Sequence, residues 1–111
     1  MKIEKQKHGN LTVVQLQGEF TGESIKSFEE VISEVMAGDS EGIVLDMSKV
    51  ILLDSASLEQ LIELNERCRE KTRQLKLAGL DETCRKILEI TRLLPRFDTY
   101  EEVTEAVKSY L

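Results

Sequence analysis

The sequence predicts a single α/β domain spanning residues 1–111, with a mixed sheet of four to five strands and about four helices packed on it. Three observations lead to this prediction. The chain opens with two strand-like segments around a turn, its later apolar runs alternate with segments of helical periodicity, and 111 residues with 41% hydrophobic content can bury one core. Such a pattern predicts the order β-β-α-β-α-β-α-(β)-α.

The first two elements are a predicted hairpin. Residues 2–7 predict a short strand whose three lysines suit an exposed sheet edge. Residues 8–10 (HGN) form a typical turn sequence, and residues 11–17 predict the partner strand. Residues 18–22 contain two glycines and break the strand pattern, so we expect a loop there.

Two helices and a buried strand are expected next. The first helix ends at Gly38 and Asp39, and its predicted inward residues are Ile25, Phe28, Ile32, Val35 and Met36. Residues 43–45 (IVL) form a continuous apolar run, which is typical of a strand covered on both faces. The second helix has the predicted inward stripe Leu58, Leu61, Ile62, Asn65 and Cys68.

In the C-terminal third of the chain, the sequence predicts one further strand, two helices and a short edge strand. Residues 74–78 form the strand, and Asp81 caps a helix that runs to about residue 92. Its predicted inward residues are Cys84, Ile87, and Ile90 or Thr91. After Pro95, residues 96–98 predict a very short strand. Thr99 and Glu102 have capping-box spacing for a last helix, whose predicted inward residues are Val103, Ala106, Val107 and Tyr110.

The charge pattern excludes several partners. The chain has 15 basic and 21 acidic residues, a net charge of −6, and no basic cluster, so we expect no nucleic-acid binding. No run of 18 apolar residues is present, and the N-terminus lacks the apolar core of a signal peptide. We therefore expect a cytoplasmic protein without membrane insertion.

The residues that usually carry catalysis or bind metals are sparse. His8, the single histidine, lies in the predicted turn, away from any serine that it could activate. No G-x-S-x-G, GxxxxGK or GxGxxG motif occurs. Cys68 and Cys84 fit neither a CxxC motif nor a disulfide scaffold, and we interpret both as small buried side chains. We expect no enzymatic activity, no metal and no cofactor.

An acid and two hydroxyls mark the start of the second helix, at Asp54-Ser55-Ala56-Ser57. Free N–H groups at a helix start favour side-chain oxygens. Ser57 is a candidate cap, with Gln60 completing a capping box, and Asp54 or Ser55 is a candidate one turn earlier. One cap needs one such residue, so the cluster has two explanations. It has a purely structural role, or it offers a surface to another molecule.

Residues 43–61, IVLDMSKVILLDSASLEQL, resemble the signature of STAS domains, the family of bacterial anti-sigma factor antagonists and of cytoplasmic tails on sulphate transporters. Family members read L-D-L-S at the end of a strand, then an apolar pair and D-S-[ST]-G at a helix start. Residues 45–48 (LDMS) and 52–55 (LLDS) match both halves, and residues 18–20 (GEF) keep part of the family's G-x-[LIF]-D. The predicted order of elements is also similar to the STAS order over nearly the whole chain.

The resemblance implies a regulatory protein that works by partner switching. Such an antagonist binds an anti-sigma factor that is also a serine kinase, and phosphorylation at this helix start breaks the complex. A phosphate adds about −1.5 to −2 charges to a surface that must otherwise fit a partner. The implied partner surface contains Phe20, Thr21, Leu52, Leu53, Asp54, Ser55, Ala56, Ser57 and Leu58, and the protein is expected to be a monomer or weak homodimer.

This chain departs from the family pattern at two positions. Ala56 stands at the usual phosphoacceptor, and Thr21 stands where the family has an aspartate. Three accounts stay open: Ser55 or Ser57 takes the phosphate instead, the protein is a constitutive antagonist, or it is a scaffold module such as the STAS subunit of an ABC-type lipid transporter. In each account we expect residues 18–22 and 52–57 to converge at one edge of the sheet, with Leu52 or Leu53 partly exposed.

Overall fold

A computed structural model describes residues 1–110, and in it the chain forms one five-stranded sheet with four helices. The strands are β1 (Lys2–His8), β2 (Leu11–Phe20), β3 (Gly42–Leu53), β4 (Gln74–Ala78) and β5 (Asp98–Tyr100). The helices are α1 (Ile25–Ala37), α2 (Ser55–Glu70), α3 (Glu82–Ile90) and α4 (Val103–Lys108), and short 3₁₀ turns cover Gly22–Ser24 and Leu94–Arg96. The predicted fold class and element order are confirmed.

The sheet has the spatial order β1-β2-β3-β4-β5. The N-terminal hairpin pairs β1 with β2 in the antiparallel sense, and every other neighbouring pair is parallel. Parallel strands end at the same edge of a sheet, so the chain leaves β2 and β3 side by side. This topology brings the β2–α1 and β3–α2 connections together.

Two strands are longer than the sequence indicates. The prediction of a loop over residues 18–22 is wrong for its first three residues, because β2 continues to Phe20. Gly18 has φ +111°, a backbone conformation that glycine adopts without strain, so this glycine belongs to the strand rather than ending it. The third strand likewise extends to Leu53, where an apolar run of three residues had predicted only its first half.

The second half of β3 contains two β-bulges. Between the pairs Gln15–Asp46 and Gln17–Lys49, β3 has one residue more than β2, and Ile51 is an additional residue between the next two pairs. Each bulge interrupts the alternation of faces. As a result Ser48 and Lys49 are both exposed, and so are Ile51 and Leu52, while the residues between and beyond these pairs are buried.

The sheet carries helices on both faces. Helices α1, α2 and α3 pack on one face over the main core, which includes Phe20, Phe28, Leu45, Leu61 and Leu77. On the other face, helix α4 packs its Ala106 on a smaller apolar strip formed by Val13, Val44 and Ala78. Helix α4 contacts β3, β4 and β5, and it reaches β2 at Val13.

Several details of the helices differ from prediction. In α2, Leu64 is buried and Asn65 is half-buried, with its amide donating to the Arg96 carbonyl. In α3, Leu88 is buried and Ile90 is 71% exposed, because position 90 lies about 240° around the helix from Cys84. Thr91 is the exposed C-cap of that helix.

The C-terminal elements begin later than predicted. The last strand covers Asp98–Tyr100 instead of residues 96–98, so Thr99 lies inside it and is not a helix cap. Helix α4 begins at Val103 without a side-chain cap. Its predicted inward face is confirmed, with Ala106 buried and Val103, Val107 and Tyr110 packed half-buried beside it.

Tyr110, which follows α4, is held against the sheet by contacts with a buried lysine and with the backbone of β4. Lys76 is 4% exposed, and its Nζ lies 4.1 Å from the ring centroid of Tyr110 and 5.2 Å from that of Tyr100. Asp98 supplies a carboxylate 3.7 Å from the same Nζ. The Tyr110 hydroxyl donates to the Gln74 carbonyl over 2.9 Å, and burial raises the pKa of this phenol. Two cation–π contacts therefore offset part of the cost of burying Lys76.

Both cysteines are fully buried thiols, as predicted. Burial raises the pKa of Cys68 to about 11 and that of Cys84 to about 12. The Cys84 thiol also donates to the Val50 carbonyl, 3.6 Å away. Because the thiolate is the reactive form, these residues behave as packing groups.

Candidate functional site

The two connections that the sequence predicted to converge meet at one edge of the sheet. Phe20 at the end of β2 pairs with Leu53 at the end of β3. One residue beyond Leu53, the Asp54 carboxylate accepts a hydrogen bond from the Gly22 backbone N–H at 2.9 Å. The predicted convergence of residues 18–22 with residues 52–57 is confirmed.

Asp54 is the N-cap of α2. Its Oδ1 accepts from the Ser57 backbone N–H at 2.9 Å, and the Asp54 N–H donates to the Ser57 Oγ at 2.9 Å, which completes a capping box. Of the caps that the sequence offered, Asp54 is confirmed, whereas Ser57 with Gln60 is wrong. Ser57 stands three positions after the cap, and the Gln60 amide instead donates to Glu29 on α1.

The Asp54 carboxylate is held in its ionised form. Hydrogen bonds from the Ser57 N–H, and then from the Gly22 N–H, lower its pKa below the usual value. Each of the two carboxylate oxygens binds a different connection, since Oδ1 serves α2 and Oδ2 serves the turn before α1. One side chain therefore fixes both parts of the candidate surface and places a negative charge at the helix start.

The predicted surface residues separate into two groups. Leu52 is 40% exposed, Ser55 is exposed, and Thr21, Asp54 and Ala56 are half-buried. The side chains predicted for the surface but buried in the core are Phe20, Leu53, Ser57 and Leu58. The Phe20 ring, for example, packs against Phe28 at 4.7 Å between centroids. These four side chains support the surface from beneath and do not line it.

Position 56 faces the connection between β2 and α1. A Cβ placed on Gly22 would lie 3.9 Å from the Ala56 methyl group and 3.9 Å from the Asp54 carboxylate. A side chain at position 56 thus borders the turn that follows Thr21. The two positions at which this chain departs from the STAS pattern belong to the same part of the surface.

Ile51 belongs to the exposed surface but was missed by sequence reasoning. Its side chain is 60% exposed, and it lies next to Leu52 because of the second bulge in β3. An apolar residue within an apolar run predicts a buried position, and a bulge has no reliable sequence signal in such a run. Only the pairing register with β2 reveals its position.

The other half of the motif, Leu45–Ser48, has a structural role. The Asp46 carboxylate accepts from the Ser48 backbone N–H at 3.0 Å and from the Ser48 hydroxyl at 2.7 Å. These bonds close the first bulge of β3, and Gln15 adds a third at 3.2 Å. The motif therefore shapes the strand that carries the exposed residues.

Within residues 1–110, no three His, Cys, Asp or Glu side chains are grouped so that they could hold a metal ion. In the same part of the chain, none of the helices has the length and apolar character needed to cross a membrane.

Comparison with known proteins gives consistent matches. The family model of the STAS domain matches residues 2–106. An anti-sigma factor antagonist from Mycobacterium paratuberculosis is similar in structure, with a TM-score of 0.88 at 23% identity, over 97% of this chain and 92% of that one.

A second anti-sigma factor antagonist and a sulfate transporter family protein are also similar in structure. SpoIIAA, a Bacillus cell-fate determinant, is an anti-sigma factor antagonist solved in unphosphorylated and phosphorylated forms. Its unphosphorylated form gives a TM-score of 0.85 at 16% identity, over 98% of this chain and 96% of that one. A sulfate transporter family protein from Wolinella succinogenes gives 0.81 at 16% identity, over 92% and 85%. At these identities the likeness establishes the fold.

Proposed function

Because the chain belongs to the STAS domain family, we propose that it is a regulatory protein of the anti-sigma factor antagonist type. In this role it binds an anti-sigma factor that is also a serine kinase, and so controls transcription by partner switching in the cytoplasm. It acts by binding and catalyses no reaction. The observation that carries the proposal is the Asp54 bridge, which joins the β2–α1 turn to the start of α2.

The bridge supports a binding role because it prepares a surface before any partner arrives. Gly22 and Ser57 are held by one carboxylate, so the two connections need little ordering on association. Binding loses less free energy to ordering when the surface is already formed. Of the residues predicted for this surface, Leu52 and Ser55 are exposed, and they provide an apolar contact and a hydroxyl.

The absence of a hydroxyl at Ala56 supports the constitutive account of this antagonist. Of the two neighbouring serines, Ser57 is fully buried with its hydroxyl engaged by the Asp54 backbone, and Ser55 is exposed. Successive helix residues point about 100° apart, so Ser55 presents its hydroxyl away from the position that Ala56 occupies. A misplacement of about 1 Å can cost a hundredfold in rate. The wild-type protein then binds its kinase partner without being efficiently phosphorylated.

An in-vitro phosphorylation assay tests this proposal. The serine-kinase anti-sigma factor isolated with this protein from its native cytoplasm is incubated with ATP and either the wild type or Ala56→Ser, and the intact mass is followed. We expect binding of both proteins and phosphorylation of Ala56→Ser alone, increased further by Thr21→Asp. Ser55→Ala in the Ala56→Ser background is the matched control, because this variant is still phosphorylated if the phosphate goes to position 56 and not to Ser55. Rapid, stoichiometric phosphorylation of the wild type contradicts the constitutive account.

A second candidate function is a STAS subunit of a transporter, such as an ABC-type lipid transporter, or of a larger signalling assembly. The similarity to the Wolinella succinogenes sulfate transporter family protein favours considering it. The two functions differ in the partner that co-purifies with the protein. Stable recovery with a permease and an ATPase, and with no serine kinase, supports the transporter role and contradicts the antagonist role.

A further inference from the structure

The face of the sheet opposite α1, α2 and α3 carries, near the end of β3, an exposed apolar pair next to two opposite charges that form no ion pair among residues 1–110. Four large hydrophobic side chains are exposed among residues 1–110, and they are Met1, Ile51, Leu52 and Ile90. Met1 lies beside Gly18, since its Cα is 3.7 Å from the place where a Cβ on Gly18 would stand. Gly18 pairs with Val50, so three of the four lie at the same end of the sheet.

The apolar pair points away from the three-helix face. Val50 and Leu53 are buried in the main core beneath α1, α2 and α3, and the bulge places Ile51 and Leu52 on the opposite side. Helix α4 shares that side but packs on the strip formed by Val44 and Ala78, nearer the beginning of β3. No helix among residues 1–110 covers the pair.

The flanking charges make this surface self-complementary. Glu19 is the ladder partner of Leu52, and Lys49 precedes Ile51 by two residues. Both side chains are exposed, and neither takes part in an ion pair with another residue of the described chain. In a two-fold arrangement every contact between two different residues occurs twice, so an axis perpendicular to the sheet near Ile51 allows Glu19 of each copy to meet Lys49 of the other.

From this geometry we propose that Ile51 and Leu52, flanked by Glu19 and Lys49, form a two-fold docking surface for a second copy of this chain. Few exposed side chains besides these four belong to the proposed contact. The surface area buried between the two copies therefore falls at the low end for specific interfaces, below about 1,200 Å². The net charge of −6 on each copy also opposes association. The dimer is therefore weak and forms at high protein concentration.

Sedimentation equilibrium on the full chain, at concentrations up to about 1 mM, tests the proposal. We expect a reversible monomer–dimer equilibrium for the wild type. Ile51→Ser weakens it at least about tenfold, since an isoleucine is then no longer buried between the copies. Ile90→Ser removes an isoleucine of α3 that is 71% exposed, against 60% for Ile51, and leaves the association unchanged.

Charge-swap variants separate the specific pairing from general repulsion. Glu19→Lys changes the net charge from −6 to −4 and reduces general repulsion, yet the proposal predicts weaker association because two lysines then face each other. The double variant Glu19→Lys with Lys49→Glu returns the net charge to −6 and restores dimerisation to within about threefold of the wild type. Circular dichroism checks that each variant is folded.

Three results overturn the proposal. A wild type that stays monomeric at every concentration excludes the second copy as the occupant of this surface. An equal effect of Ile90→Ser and Ile51→Ser means that association does not depend on this pair. A double variant that stays as weak as Glu19→Lys alone means that Glu19 and Lys49 do not meet across a two-fold axis.

Discussion

At the scale of single residues, the two serines that flank Ala56 have different roles. Ser57 is buried, and its hydroxyl accepts from the Asp54 N–H and donates to the Asp54 carbonyl. Ser55 is exposed in the first turn. We expect Ser57→Ala to lower the free energy of unfolding by about 1 kcal/mol. Ser55→Ala should change it by less than about 0.5 kcal/mol, because it removes no such contact. Urea denaturation measures both, and the reverse order would mean that α2 depends on Ser55 for its cap.

The carboxylate of Asp54 makes a pH-dependent contribution to stability. Its pKa is lower in the folded protein than in the unfolded chain, so the native state binds fewer protons. The contribution is complete above the unfolded pKa of about 3.9 and is lost as the pH falls through the lower, folded-state pKa. Asp54→Asn keeps an acceptor for Ser57 but turns an amide donor toward the Gly22 N–H. We expect its urea midpoint to lie below that of the wild type at pH 7, with the two converging below about pH 4. A difference that stays constant from pH 7 to pH 3 would exclude the ionised form as the cause.

At the scale of elements, the turn after β4 packs tightly on the first bulge of β3. Gly79 has φ +75°, and a Cβ there would lie 2.9 Å from the Ser48 Cβ. Gly9 has a similar φ of +61° with no atom within 4 Å of such a Cβ. Gly9→Ala should therefore cost about 1–2 kcal/mol from backbone strain alone. Gly79→Ala should cost about 1–3 kcal/mol more because of the added clash, and Ser48→Gly in the same chain should recover part of this loss. Equal destabilisation by the two alanines, measured by urea denaturation, would contradict the close approach.

Some elements could be predicted from the sequence, and others could not. Residues 74–78 and the stripe from Ile25 to Met36 were predicted correctly, because local periodicity decides both. The extension of β3 through Leu53 and the exposure of Ile51 depend on pairing with β2, which is a long-range property. Burial of Phe20 and Leu53 has the same origin. The convergence of the two connections was predictable from strand order. The sequence offered both Asp54 and Ser57 as caps, and local pattern alone did not decide between two helix starts that lie three residues apart.

At the scale of the whole molecule, the two faces of the sheet are unequally covered. The main core lies under α1, α2 and α3, whereas α4 is a six-residue helix whose buried Ala106 packs on three buried apolar residues of the sheet. Segments with little buried apolar surface open locally before the molecule unfolds. We expect the amide hydrogens of α4 to exchange with solvent faster than those of the interior of α2, by at least about tenfold, because a free-energy difference of about 1.4 kcal/mol suffices for that factor. Native-state hydrogen exchange measures this ratio. If the amides of α4 and of α2 instead exchange at the same rate, set by global unfolding, then the contacts of Lys76 with Tyr100 and Tyr110 make α4 part of the main cooperative unit.

The bulge at Ile51 also affects how this chain tolerates changes in its length. Loss of one residue from a regular strand reverses the faces of every side chain after it, and the core cannot absorb that change. Ile51 is already supernumerary relative to β2, since Val50 pairs with Gly18 and Leu52 with Glu19. A chain lacking Ile51 would keep Val50 inward, Leu52 outward and Leu53 inward, so it should still fold. Deletion of Val44, in the regular part of β3, should prevent folding because it reverses the faces of the residues that follow. In this segment of β3, sequence length can therefore vary without loss of the fold, and the shape of the outer surface can change independently of the core.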